Sequence, residues 1–380
     1  MALSVNNNAL SKSYALQHQL SWQEVVVRIF LLIFCLFGFL FSLQLIESLF
    51  RGHSEMFTNQ FGQAFSNPLL GLCLGLLATA TVQSSSTTTA LIVATVASGT
   101  LQLSQAVPMV MGANVGTTIT AMLVAFTHVY NKRQFRKAFA AALGHHFFNI
   151  LTLILLFPME YAFGLLSGTA THLAELFSTG STDGQSFLSF AIKPLLAWFE
   201  QQTGGSVLIP LFTAVALLPA SVFGFSAVLK GLVIGSAQQL IEDKVFGEPL
   251  IALFWGIGLT ALVRSSAATT SLTVPLVAGE RISLKKSLPF IMGANVGTTI
   301  TALLASVSRS ETAISIAITH LLFNLIGVLV LFPFPNLRQK FVWLVKRSAS
   351  KLTTNRSNAF LYLLLIFFVL PVALLYFGLK

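Results

Sequence analysis

The sequence predicts an all-α polytopic membrane protein built from two inverted repeats, and three observations carry that prediction. Only 9% of the 380 residues are charged and 55% are hydrophobic, with a mean hydropathy of +0.81; a soluble domain carries about 25% charge. Apolar runs of about 20 residues recur, long enough to cross ~30 Å of hydrocarbon, where a β-barrel would show alternating segments of about ten. The string MGANVGTTITA occupies Met111–Ala121 and again Met292–Ala302, 181 residues later. At the same offset Gln83-Ser84-Ser85-Ser86-Thr87-Thr88-Thr89 aligns with Arg264-Ser265-Ser266-Ala267-Ala268-Thr269-Thr270. The chain is internally duplicated.

Residues 1–20 lack the charged start, apolar centre and cleavage site of a signal peptide in that order, and 1–24 are expected to form a cytoplasmic N-terminus. The first repeat, 25–158, opens with a membrane helix near Val25–Ile46. Pro68–Ser98 follows, about 31 residues, too long for one upright span and interrupted by Gln83–Ser86. Two short helices folding back as a re-entrant hairpin fit it, with the polar turn buried at membrane depth. Spans near 106–127 and 138–157 complete the repeat. Residues 159–218 read as an external linker and the start of the next membrane element. This linker is more polar over Glu160–Gly205, with an interfacial stretch near Phe187–Phe199. The second repeat is 219–333; Gln239–Glu242 closes its first helix as Gln44–Glu47 closes that of the first. A basic cytoplasmic segment at 334–358 holds Arg338, Lys340, Lys346, Arg347, Lys351 and Arg356, and 359–380 forms a last transmembrane helix.

Charge sets the orientation. The offset falls from 181 to 175 between the duplicated strings and the pair Asn149/Asn324, where the first repeat carries Lys132, Arg133, Arg136 and Lys137 and the second lacks them. Conversely Thr100–Gln105 is uncharged while its counterpart Arg281–Lys286 holds three cations. The positive-inside rule then makes 128–137 and 281–286 cytoplasmic and 100–105 and 308–311 external, so equivalent loops face opposite sides. If neither hairpin crosses, three spans (106–127, 138–157 and 218–241) separate them, which inverts the second repeat. The net charge of +10 belongs to these loops and does not indicate nucleic acid. Cys35 and Cys73 lie in apolar segments, and neither a disulfide framework nor a metal cluster is expected.

A duplicated pair of broken, hydroxyl-rich segments in a membrane protein points to a transporter's binding site. The turn at Gln83, Ser84, Ser85 and Ser86, and its counterpart at Arg264, Ser265 and Ser266, combine small hydroxyls with a helix start. First-turn N–H groups lack helical partners and, with the dipole, bind an oxyanion. Hydroxyl and carbonyl oxygens also suit a hard cation. Gly112, Gly116, Gly293 and Gly297 admit an unwound helix or a close backbone approach. Asn114, Thr117, Thr118, Asn295, Thr298 and Thr299, with Thr270 and Thr273 on the second hairpin, offer cation oxygens. The competing reading of these strings is a close-packed helix crossing with buried Asn as glue. His145/His320 and Asn149/Asn324 are equally consistent with lining a pathway or with structural hydrogen bonds.

QSSSTTT, the paired MGANVGTT strings and the Phe135–Phe139 and His145–Asn149 stretch together resemble the type II sodium-dependent phosphate cotransporter family. The resemblance covers both repeats. It implies import of inorganic phosphate coupled to sodium, with phosphate between two QSSS hairpins and sodium held by nearby hydroxyls, amides and carbonyls. The linker has neither cysteine nor an N-x-S/T sequon, unlike glycosylated animal members, which implies a bacterial inner-membrane protein. Two departures stand out. Arg264-Ser265-Ser266-Ala267 replaces a second Gln-Ser-Ser-Ser, and His146 stands where electrogenic relatives place an acid.

The leading function is therefore a sodium:phosphate symporter working by alternating access. Another oxyanion, sulfate or a dicarboxylate, is the same-class alternative, and an ion channel is more remote. An intramembrane hydrolase would need a base beside one of the serines, and neither turn has one adjacent, so the chain is not expected to be an enzyme. No cofactor is expected beyond sodium as coupling ion. The partners are phosphate, sodium and the lipid bilayer; a homodimer is admitted but not specified.

Overall fold

The computed structural model describes residues 22–52, 66–178, 187–204, 206–233, 244–306 and 310–378. Within them the chain is helical, with no strand. The first repeat supplies α1 (Trp22–Gly52), α2 (Pro68–Val82), α3 (Ser85–Ala97), α4 (Leu103–Gly116), α5 (Thr118–Phe126) and α6 (Lys132–Phe163). Then come α7 (Leu165–Ser178), α8 (Phe187–Gln202) and α9 (Leu208–Val233). The second repeat supplies α10 (Pro249–Val263), α11 (Ser266–Ala278), α12 (Leu284–Ser306) and α13 (Glu311–Leu331). The chain continues with α14 (Pro335–Leu352) and α15 (Arg356–Gly378), the last carrying a π-helical turn at Leu365–Val369. Among the described residues six helices are long and apolar enough to cross a membrane. The protein is a polytopic helical membrane protein.

The short helices come in matched pairs. Pro68 and Pro249 open α2 and α10, where the missing N–H costs nothing. Each of these helices has 15 residues, so it spans about 22 Å and falls short of the ~30 Å core. Each ends on a left-handed residue, Gln83 and Arg264, both at φ 56° and ψ 28°. For a side-chain-bearing residue that conformation costs about 1–2 kcal/mol, yet both turns adopt it.

The expected unwound helix is not what the glycines produce. In the second repeat α12 runs unbroken through Met292–Ala302, and in the first only Thr117 interrupts the α4–α5 run. The glycines instead let two backbones touch. A Cβ on Gly112 would lie 1.9 Å from the Leu72 carbonyl oxygen, and one on Gly293 would lie 2.0 Å from that of Leu253. Gly75 and Gly256 meet Met109 and Phe290 in the same way. Thus α2 packs along α4 and α10 along α12 through glycine contacts, the small-residue crossing that membrane helices use when no hydrophobic effect drives them together.

Packing between the repeats is reciprocal. Helix α4 packs on α13 and α12 on α6, while α3 packs on α12 and α11 on α5. Each element of one half meets the counterpart of its own partner in the other, which is the pattern a two-fold relation generates.

Three further differences from the sequence reading have simple causes. Helix α6 continues past 158 to Phe163 with Pro158 inside it, and Gly164 (φ 59°) closes it. Glu160, read as the start of a polar linker, then accepts from the N–H groups of Leu166 and Ser167 and caps α7. Buried Leu166, Ala170 and Ala174 recur at helical spacing and seat α7 on α13, so this part of the linker is an amphipathic helix. The basic 334–358 segment is likewise mostly helix: α14 buries Phe341, Val342, Val345 and Ala349 and packs on α6. The first membrane helix is longer at both ends than Val25–Ile46. Residues 1–21, Gln239–Glu242 and residues 308 and 309 of the 308–311 loop lie outside the described residues.

Candidate substrate site at the two turns

Each turn is built by the same local chemistry. Ser84, extended at φ −145°, caps α3 by accepting from the Thr87 N–H at 3.2 Å. Ser265, at φ −147°, caps α11 by accepting from the Ala268 N–H at 3.2 Å. The left-handed residue before each serine swings the chain from one helix into the next. Each cap satisfies one first-turn donor and leaves those of Ser85 and Ser86, and of Ser266 and Ala267, without a helical acceptor. Two helix N-termini with exposed positive dipole ends are thereby made.

They meet. The Ser86 hydroxyl donates to the Arg264 carbonyl at 3.0 Å, across 178 residues of sequence. The reciprocal bond cannot form, because Ala267 stands where Ser86 would have its counterpart. Ser84, Ser85, Ser86 and Ser266 are buried and Ser265 half-buried, and the Ser266 hydroxyl has no protein partner among the described residues.

The two residues before the serines diverge. The Gln83 side chain is exposed, whereas Arg264 is 3% exposed. The Arg264 guanidinium lies 4.5 Å from the Phe39 ring centroid, a cation–π contact with α1. Sequence placed both side chains at the anion; the structure brings the Arg264 backbone to the facing turn and sends Gln83 outward.

The expected cation ligands fall into two groups. Thr299, Thr270 and Thr273 donate to carbonyls of their own helices at 2.7–2.8 Å, while Thr118 and Thr117 donate to the Val115 and Ala113 carbonyls of α4 at 2.7 and 3.1 Å. A hydroxyl that has spent its proton this way presents only lone pairs outward. Thr118 also contacts His146 Nδ1 at 2.8 Å, and the Thr298 hydroxyl is buried with no partner among the described residues. Asn114 and Asn295 behave differently. The Asn114 Oδ1 faces His320 Nε2 at 3.1 Å and accepts from Asn324 Nδ2 at 3.1 Å, while Asn295 Oδ1 faces His145 Nε2 at 3.0 Å. With two contacts, the Asn114 oxygen would join a cation shell only by exchanging one of them.

The histidine–asparagine pairs were not assigned by sequence reasoning, although the signal was present. His145 with Asn295 and His320 with Asn114 are the same contact made twice, once from each repeat. Offsets of 175 and 181 relate their members, so reciprocity was readable once a two-fold relation was assumed. These pairs clasp the halves through the Asn glue that a close-packed crossing implies.

The comparisons fit this architecture. The family model described as Na+/Pi-cotransporter matches residues 38–171 and 217–345, one interval around each copy of the duplicated strings. Sodium-dependent phosphate transport protein 2A of Rattus norvegicus is 30% identical over 387 residues, covering 80% of this chain and 60% of that protein. Sodium-dependent phosphate transport proteins 2B of Pongo abelii and Homo sapiens are each 28% identical over 452 residues, covering 93% of this chain and 65% of theirs. The chain thus spans under two thirds of the length of these relatives. No solved structure matches it. With the family matched across both halves, through the very segments that build the facing turns, this chain belongs to the Na+/Pi-cotransporter family.

Proposed function

We propose that the protein is a secondary transporter that imports inorganic phosphate with sodium across the plasma membrane, in a bacterial cell the inner membrane. The observation that carries this reading is the meeting of two duplicated helix N-termini at one buried, hydroxyl-lined point. That arrangement offers N–H and O–H donors to an oxyanion without requiring a dedicated counter-charge. The relatives' names as sodium-dependent phosphate transport proteins support the same cargo. Ser84, Ser85, Ser86, Ser265 and Ser266 hold phosphate, and Gln83 joins only on turning inward. Thr117, Thr118, Thr270, Thr273, Thr298 and Thr299 supply cation oxygens, with Asn114 and Asn295 behind them. The chemistry is transport; no residue is assigned to catalysis.

The test is labelled phosphate uptake by cells expressing the chain, with sulfate and a dicarboxylate as competitors and potassium replacing sodium. Phosphate should be taken up only with sodium, and neither competitor should inhibit at equal concentration. Inhibition by sulfate equal to that by unlabelled phosphate would reassign the cargo.

Mechanistically, the turns form re-entrant hairpins and the repeats are inverted, so rocking one half against the other exposes the same site to opposite sides. Cysteines placed near Lys132 and Lys285 should label from the cytoplasm, and those near Gln102 and Ser310 from outside. If equivalent loops of the two repeats label from one side, the inversion is wrong.

Arg264 brings a fixed charge to one turn. It binds phosphate directly or stands in for one sodium, and its planar group is suited both to an oxyanion and to the Phe39 face. Removing it as Arg264→Ala should weaken half-saturation by phosphate about 10- to 100-fold, the range of a charged hydrogen bond. Arg264→Gln should retain partial transport with altered sodium cooperativity, and Arg264→Lys should rescue poorly. Unchanged phosphate affinity and cooperativity in both Ala and Gln variants would remove Arg264 from the site.

A further inference from the structure

At the opposite end of α11 from the Ser265 turn that opens it, α6, the 279–284 segment and α14 line a cleft of about 490 Å³. Its polar lining is Arg136, Lys137, Lys346, Ser283, Ser350 and Glu280. Ala140, Val277, Ile282 and Leu284 give it an apolar side. Neither Arg136 nor Lys346 forms an ion pair among the described residues.

Glu280 is placed there at a cost. It sits at φ 62°, where its counterpart in the first repeat, 181 residues earlier, is Gly99 at φ 80°. A glycine adopts that conformation freely; a glutamate does not. The reward is electrostatic: one carboxylate oxygen, Oε1, lies 2.6 Å from Lys137 Nζ and 2.7 Å from Arg133 Nη2. Lys137, then Arg133, holds the Glu280 carboxyl below the ordinary carboxylate range, so it stays ionised near neutral pH. The equivalent position of the first repeat has no acid, and the second repeat lacks the counterpart of the 132–137 cations.

We infer that this cleft is an anion site for a phosphate group, in which Glu280 is a tethered competitor lying across two of the cations. Three cations, Arg136, Lys137 and Lys346, line the cleft with one carboxylate, so it keeps a positive excess with Glu280 in place. Two sources could supply the group: an acidic phospholipid headgroup, whose acyl chain would follow the apolar side, or free phosphate in the aqueous phase. The site is separate from the facing turns and does not depend on transport.

The test titrates the purified full chain, in neutral detergent and sodium-free buffer, with inorganic phosphate or with a phosphatidylglycerol. The readout is the concentration that half-saturates the shift in thermal unfolding. Glu280→Gln should tighten half-saturation about two- to five-fold, the scale of an exposed ion pair. Arg136→Gln with Lys346→Gln should weaken it by about five-fold or more. A response to lipid alone assigns the headgroup, and a response to phosphate alone assigns the free ion; either supports the site. The Glu280 variant gains binding, so a fold defect cannot imitate its effect. Equal half-saturation in all three proteins for both probes, or no shift with either, overturns the inference. Sodium-driven uptake measured in parallel reports on the facing turns independently.

Discussion

Replacing Ser265 or Ser84 by leucine is expected to reduce phosphate uptake to background while leaving protein in the membrane. The cap itself is worth about 1 kcal/mol to its helix, too little to unfold the protein. The larger loss is local: leucine removes the hydroxyl that orders the first turn and fills the point where the two turns meet. Threonine keeps a capping oxygen, so Ser265→Thr should retain measurable uptake and separate chemistry from bulk. Immunoblotting of membranes fixes the amount of protein, and initial rates give the effect. Normal rates in both leucine variants would show that the turns are not the site.

The second large effect is on stability and contrasts two glycines of one helix. Gly256 and Gly258 both lie in α10, but a Cβ on Gly256 would sit 2.2 Å from the Phe290 carbonyl oxygen, whereas one on Gly258 meets nothing within 4 Å. Because the obstacle is backbone, no rotamer change relieves it, and α10 must move off α12. Gly256→Ala is expected to destabilise by about 2–3 kcal/mol, the scale of an overpacked core. Gly258→Ala should be neutral or mildly stabilising, since alanine is about 1 kcal/mol the better helix former. Thermal unfolding in detergent compares them directly; similar shifts for both would mean that the crossing is not glycine-dependent.

Most of the fold was legible because duplication is visible without structure. The break in each helix pair was legible from a hydroxyl-rich interruption in a stretch too long for one span, and the helices end and restart there, at Gln83-Ser84 and Arg264-Ser265. Glycine was ambiguous for a physical reason: the same missing Cβ permits unwinding and close approach. Only the position of Leu72 and Leu253 against Gly112 and Gly293 decides for the second. The linker and basic segment were read by overall polarity, which hides an amphipathic face; Leu166, Ala170 and Ala174 needed a helical projection. At the site, alignment made Gln83 and Arg264 equivalent, and their backbones are. Their side chains are not, because surroundings rather than offset decide where a long side chain goes. The histidine clasps were missed because a contact between repeats has no signature within either one.

On the proposed function, a sodium gradient drives phosphate through this protein. The direct measurement is labelled phosphate accumulation in proteoliposomes holding the purified chain, with sodium outside, with sodium equal on both sides, and with an ionophore added to collapse the gradient. Transient accumulation above the external concentration is expected only under the inward gradient, abolished by the ionophore and reversed to efflux when the gradient is reversed. Phosphate equilibration at the same rate and to the same level in all these conditions would contradict it.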